Sequence, residues 1–209
     1  MFSEFLVYLR LGFEHITDPG GYDHLLFVAA LTASDLGRVR RLFWLVTAFT
    51  IGHSITLALA TLDLVRVDIT LVEILIPLTI LATAAVNGIS WSLGQRVEPV
   101  EETGRDEVVE PETRVRYLLA VGFGLIHGLG FSTFLRAALG WEESILLPLL
   151  SFNIGLEIGQ LAIVAGLSLL AFVLIRGLGM KRRAWVLGVS AITGGMALVL
   201  LVQRIQFPT

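Results

Sequence analysis

Several stretches of this chain run for about 20 residues with almost no charge, the length an α-helix needs to cross the hydrocarbon core of a bilayer. In lipid a backbone has to satisfy its own hydrogen bonds, so such runs fold as helices. They do not alternate with a period of two, as the strands of a membrane barrel would. Of 209 residues, 55% are hydrophobic and 16% charged, too little charge to cover a soluble domain of this size. The expectation is an all-α integral membrane protein. It would be a single transmembrane domain over residues 1–209, one bundle of about six transmembrane helices plus a short N-terminal amphipathic helix.

Along the chain, residues 2–17 interleave Phe2, Phe5, Leu6, Leu9, Phe13 and Ile16 with Glu4, Arg10 and Glu14, a helical and amphipathic pattern. The segment is too short to span and reads as interfacial or half-inserted. A turn at Asp18–Gly21 ends it. Spanning or partly spanning helices are expected at about 22–34, 41–62, 69–94, 115–139, 145–176 and 185–205. Pro77 should kink the third, and the fifth is long enough to tilt. Residues 95–113 carry seven carboxylates, Glu98 through Glu112, and read as a solvated loop.

Lys and Arg set the orientation. Arg38, Arg40, Arg41, Arg96, Arg105, Arg114, Arg116, Arg176, Lys181, Arg182 and Arg183 fall on one side, and only Arg10, Arg66, Arg136 and Arg204 on the other. This places the chain in a cell (inner) membrane as a multi-pass protein, with both termini outside and the 95–113 loop in the cytoplasm. The stretch MFSEFLVYLR has no signal-peptide pattern, so a spanning segment would serve as insertion signal.

Ionisable side chains inside a membrane are costly and therefore candidates for function. The stretch HITDPGGYDHLLF holds His15, Asp18, Asp23 and His24 around a Pro-Gly-Gly break, which lets ligands on either side converge. His53, in FTIGHSITL, sits about 12 residues beyond Arg41, about 18 Å deep at helical rise. A histidine satisfied by a backbone carbonyl is the plainer alternative there. His127 lies in GFGLIHGLGFS, where Gly124 and Gly128 permit close helix contact. Packing explains those glycines but not the histidine. Asn153, Glu157 and Gln160 share one helical face, and Glu157 there must be neutral, paired or bound to a cation. Glu73 reads equally as a deep carboxylate or an interfacial one. Asn87 lies on its stripe beyond Pro77 and Ile80.

The expected metal ligands are thus His15, Asp23, His24, His53 and His127, with Glu73, Asn87, Asn153, Glu157 and Gln160 as outer partners or ion path. Imidazole and carboxylate without thiol suit nickel, cobalt, zinc, iron or manganese; the chain has no cysteine. An EF-hand, a phosphate loop, a GxSxG elbow and a basic stripe for nucleic acid are all missing from the sequence.

The segments GFEHI, GYDHLLF, FTIGHSITL, VEILIPLTILATAAVN, FGLIHGLGFS and FNIGLEIGQ, in this order, resemble the HupE/UreJ family of membrane proteins, regarded as nickel or cobalt permeases. The resemblance implies a bundle of about six helices and transport of a divalent metal. It implies roles for His15, Asp23 and His24 as one cluster, and for His127 and Glu73. The expected function is therefore a divalent transition-metal permease, with nickel, cobalt or zinc as the ion and the lipid bilayer as partner. A homo-oligomer stays open. Two alternatives remain: an intramembrane zinc-dependent hydrolase acting on a lipid or amide, and a metal sensor or metalloenzyme assembly partner that uses the 95–113 loop.

Overall fold

The computed structural model describes residues 2–35, 37–92, 111–132, 135, 137 and 144–207, and their regular structure is all helical. In chain order these are α1 (Phe2–Thr17), a 3-10 turn (Pro19–Gly21), α2 (Tyr22–Thr32), α3 (Val39–Thr61), α4 (Ile69–Ser92) and α5 (Pro111–Gly130). Then come α6 (Leu146–Phe172), a π-helical turn (Val173–Gly177) and α7 (Arg182–Gln206).

Four helices among the described residues are long and apolar enough to cross a membrane: Val39–Thr61, Ile69–Trp91, Leu146–Gly177 and Arg182–Gln206. Their outward faces expose large apolar side chains such as Ile51, Leu78, Leu169 and Val199, as suits lipid rather than water. The chain is a multi-pass membrane protein. The other two expected spans differ from the pattern. α2 has only 11 residues, about half a crossing. α5 has 20, but Arg114 and Arg116 occupy its opening turns and four glycines dilute its apolar face. The expected extension of α5 to Leu139 and most of the 95–113 loop lie outside the described residues.

The helices pack in lengthwise pairs, α3 on α5, α1 on α6 and α4 on α7, and short α2 touches α4, α6 and α7. Fully buried Phe27, Leu45, Phe49, Ile80 and Ala120 form the centre. α1 turns Tyr8, Gly12 and Ile16 inward, one residue every four, which is a single helical stripe. Its outward face is mixed rather than polar: Phe2, Leu6 and Val7 are exposed there alongside an Arg10–Glu14 ion pair at 2.7 Å.

Ile16 packs on Gly159 of α6, about 13 residues and so about 20 Å along that helix. The far end of α2 reaches Asn87 on α4. α1 and α2 therefore behave as two half-helices that meet at mid-depth. The break between them follows from the residues. Asp18 caps the turn by accepting the Gly20 N–H at 2.8 Å, and Pro19 starts the 3-10 turn, where it needs no N–H donor.

Candidate metal centre

The half-helix junction brings the histidines together. The His15 and His24 ring centres are 4.6 Å apart, His24 and His127 5.2 Å, and His15 and His53 6.1 Å. Two imidazoles on one ion, each with a metal–nitrogen bond of about 2.1 Å, have ring centres about 5 Å apart at a tetrahedral angle. The His15–His24 and His24–His127 pairs stand near that spacing and His53 stands farther off, with one ring each from α1, α2, α5 and α3. Among the described residues no three His, Asp or Glu side chains already surround a single point as a closed ligand sphere. Gripping an ion requires the rings to swing.

Their nitrogens are available for it. His127 Nδ1 lies 2.8 Å from the Phe123 carbonyl oxygen. A carbonyl only accepts, so Nδ1 carries the proton and Nε2 keeps its lone pair. That Nε2, the Nε2 atoms of His15 and His24, and both ring nitrogens of His53 are buried without a hydrogen-bond partner. Buried polar atoms are nearly always paired, so these clustered ring nitrogens make the place a candidate ligand site. His24 Nδ1 sits 3.0 Å from Asp23 Oδ1, at ion-pair distance but off the line of a hydrogen bond. Asp23 Oδ1 also accepts the His24 backbone N–H at 2.9 Å.

Packing fixes where the rings stand. α3 and α5 approach so closely that a Cβ on Gly128 would run into the His53 carbonyl oxygen and the Thr56 hydroxyl. This contact locks the helices that carry His53 and His127 together. Phe27 and Phe49 lie against the His127 ring, each with its centre 5.3 Å away. Phe131 and Phe152 flank His15.

In front of the cluster lies a cavity of about 760 Å³, lined by His15, Asp18, Asp23, His24, Glu73 and His127 among others. It opens between the ends of α4, α5 and α7. His53 is fully buried behind this layer and does not line the cavity. Three carboxylates, three imidazoles and Arg204 line it, and the imidazole and carboxylate groups are donor types that suit a borderline divalent cation. Glu73 stands at the mouth, paired with Arg204 at 3.4 Å.

The remaining expected residues stand elsewhere. Glu157 accepts the Thr47 hydroxyl at 2.6 Å, and Gln160 Oε1 accepts the Thr50 hydroxyl at 2.9 Å, so both fasten α6 to α3. Asn153 donates to the Leu149 carbonyl in its own helix. Asn87 lies at the opposite end of the bundle, fully buried beside Ser34 and Arg116. Sequence reasoning missed Asp35, Arg116 and Arg204 as interacting groups. It counted Arg116 and Arg204 only as orientation markers and did not single out Asp35, and only the pairing of distant helices reveals them.

A family model described as HupE / UreJ protein matches residues 1–204. The chain belongs to the HupE/UreJ family. The match takes in all the elements that build the histidine cluster, so the site is part of the family domain. No curated protein and no solved structure matches the chain.

Proposed function

We propose that this HupE/UreJ protein is a permease for a divalent transition metal, and that the imidazole cluster is where the ion rests in transit. Family membership suggests a role related to nickel or cobalt transport. The observation that carries the reading is the group of unpartnered imidazole nitrogens at the foot of an open, acid-lined cavity. The ion, as substrate, enters past Glu73 and Asp18, meets Asp23, His24, His15 and His127, and reaches His53 behind them. Transit demands binding strong enough to strip water yet weak enough to release. A set of neutral imidazoles that must swing to close on the ion meets both demands.

The test is uptake of Ni²⁺, Co²⁺ and Zn²⁺ into proteoliposomes. His24→Ala and His127→Ala should each abolish uptake of the transported ion. Uptake that ignores both substitutions refutes the reading. The cavity opens at one end of the bundle, and this favours one rival, a hydrolase holding Zn²⁺ with an open water position. One tightly held zinc per chain, hydrolysis of an amide or ester, and no flux would establish that rival instead.

A further inference from the structure

At the end of the bundle away from the cavity, a second polar cluster is buried. Asp35 is 1% exposed, Ser34 1%, Asn87 0% and Arg116 7%. Asp35 Oδ2 accepts from Arg116 Nη1 at 3.1 Å, and Asp35 Oδ1 pairs with Arg41 Nε at 3.2 Å. Arg116 also donates to Asn87 Oδ1 at 3.3 Å, which accepts the Ser34 hydroxyl at 3.1 Å. Arg182 donates to the Ser34 carbonyl at 2.9 Å. The last turn of α2, through the Ala30 carbonyl, and the residues just past it are thus tied to α3, α4, α5 and α7 at a single knot. Leu31, Thr83, Asn87 and Arg116 enclose only about 10 Å³ beside it, about the room one water needs.

We propose that the Asp35–Arg116–Arg41 knot is the closed gate of the metal path, and that α2 couples it to the ion site. The proposal rests on the permease reading. Two features support the gate. One carboxylate faces two guanidiniums, so the knot keeps surplus positive charge, which bars a cation. Buried ion pairs contribute little net stability and are best understood where they specify one of two states.

The coupling follows from α2 itself. His24 sits in its first turn and Asp35 just past its end, about 16 Å apart at helical rise. Both flanks can bend. The Pro19–Gly21 turn precedes the helix, and Gly37 follows with φ of +88°, where a side chain would be strained. An ion that draws His24 toward the other rings shifts a short stiff rod whose far end holds Asp35.

The chain has no cysteine, so Thr83→Cys, inside the small pocket, is a unique reporter of water access. The full-length protein in proteoliposomes is treated with a membrane-impermeant thiol reagent on the Arg116 side. Asp35→Asn should raise labelling about tenfold or more, as when a state populated at a few per cent becomes the major one. Arg41→Gln, at the better-solvated partner, serves if Asp35→Asn does not fold. With the knot intact, saturating Ni²⁺ should also speed labelling. Labelling within about twofold of the parent in the folded variants overturns the gate, because no population has moved. No response to Ni²⁺ overturns the coupling through α2. Ni²⁺ flux measured on the same vesicles separates the two readings. Flux with unmoved labelling removes the gate alone, whereas a protein that never carries metal removes the permease, and with it the metal path that the knot would close.

Discussion

Asp23→Asn tests the ion site with little risk to the fold. The substitution keeps an oxygen that can accept the His24 backbone N–H, the 2.9 Å contact that steadies the first turn of α2. It removes the negative charge 3.0 Å from His24 Nδ1. A carboxylate in that position favours the Nδ1–H tautomer and leaves Nε2 free for metal. Loss of such a partner weakens metal binding by about 10- to 100-fold, which is about 1.4–2.7 kcal/mol. The assay is isothermal titration of purified protein with Ni²⁺ and Co²⁺, alongside thermal unfolding of the apo protein. Affinity should drop in that range while the apo midpoint stays near the parent's. Affinity unchanged within about twofold would refute the claim that Asp23 orients or shares the ion, since even the weaker expected effect is tenfold.

Two further outcomes follow from the same geometry. Gly128→Ala pushes a methyl group into the His53 carbonyl and the Thr56 hydroxyl; overpacking of this kind costs about 1–3 kcal/mol. A lower thermal midpoint and weaker metal binding should therefore appear together, because the helices of His53 and His127 are forced apart. Protons and metal compete for the same imidazole lone pairs, and burial leaves His15 and His127 harder to protonate than free imidazole, so binding should hold through neutral pH and weaken only below the usual histidine range. The slope there should reach about one log unit per pH unit for each proton displaced, read from titrations carried from about pH 7 down to about pH 4.

The sequence was most informative where chemistry is local. Long apolar runs require helices whatever their neighbours, and the Asp18–Pro19–Gly20–Gly21 break announces itself through turn residues. All four histidines stand out because imidazole is rare and expensive inside an apolar run. Pairings between distant helices leave no such mark. Glu157 stood out as an outer partner or ion-path residue because a deep carboxylate must find a partner; the Thr47 hydroxyl donates to it, and nothing near residue 157 names Thr47. Asp35 did not stand out because it falls just past the expected end of the 22–34 helix, and the guanidinium that pairs with it comes from α5. Asn87 and Glu73 share a stripe on α4, yet they serve opposite ends of the molecule, since a helix of 24 residues outreaches either site.

The divided α1–α2 segment bears on how the protein is made. Neither half is long enough to be held in a bilayer alone, and the face of α1 formed by Tyr8, Gly12 and Ile16 has its natural cover on α6. A ribosome extrudes α6 long after α1. Until then the inward face of α1 has no α6 to pack on, and α3 is the first of the described helices long and apolar enough to cross a membrane. The imidazole cluster is therefore completed late, only when α1 docks on α6.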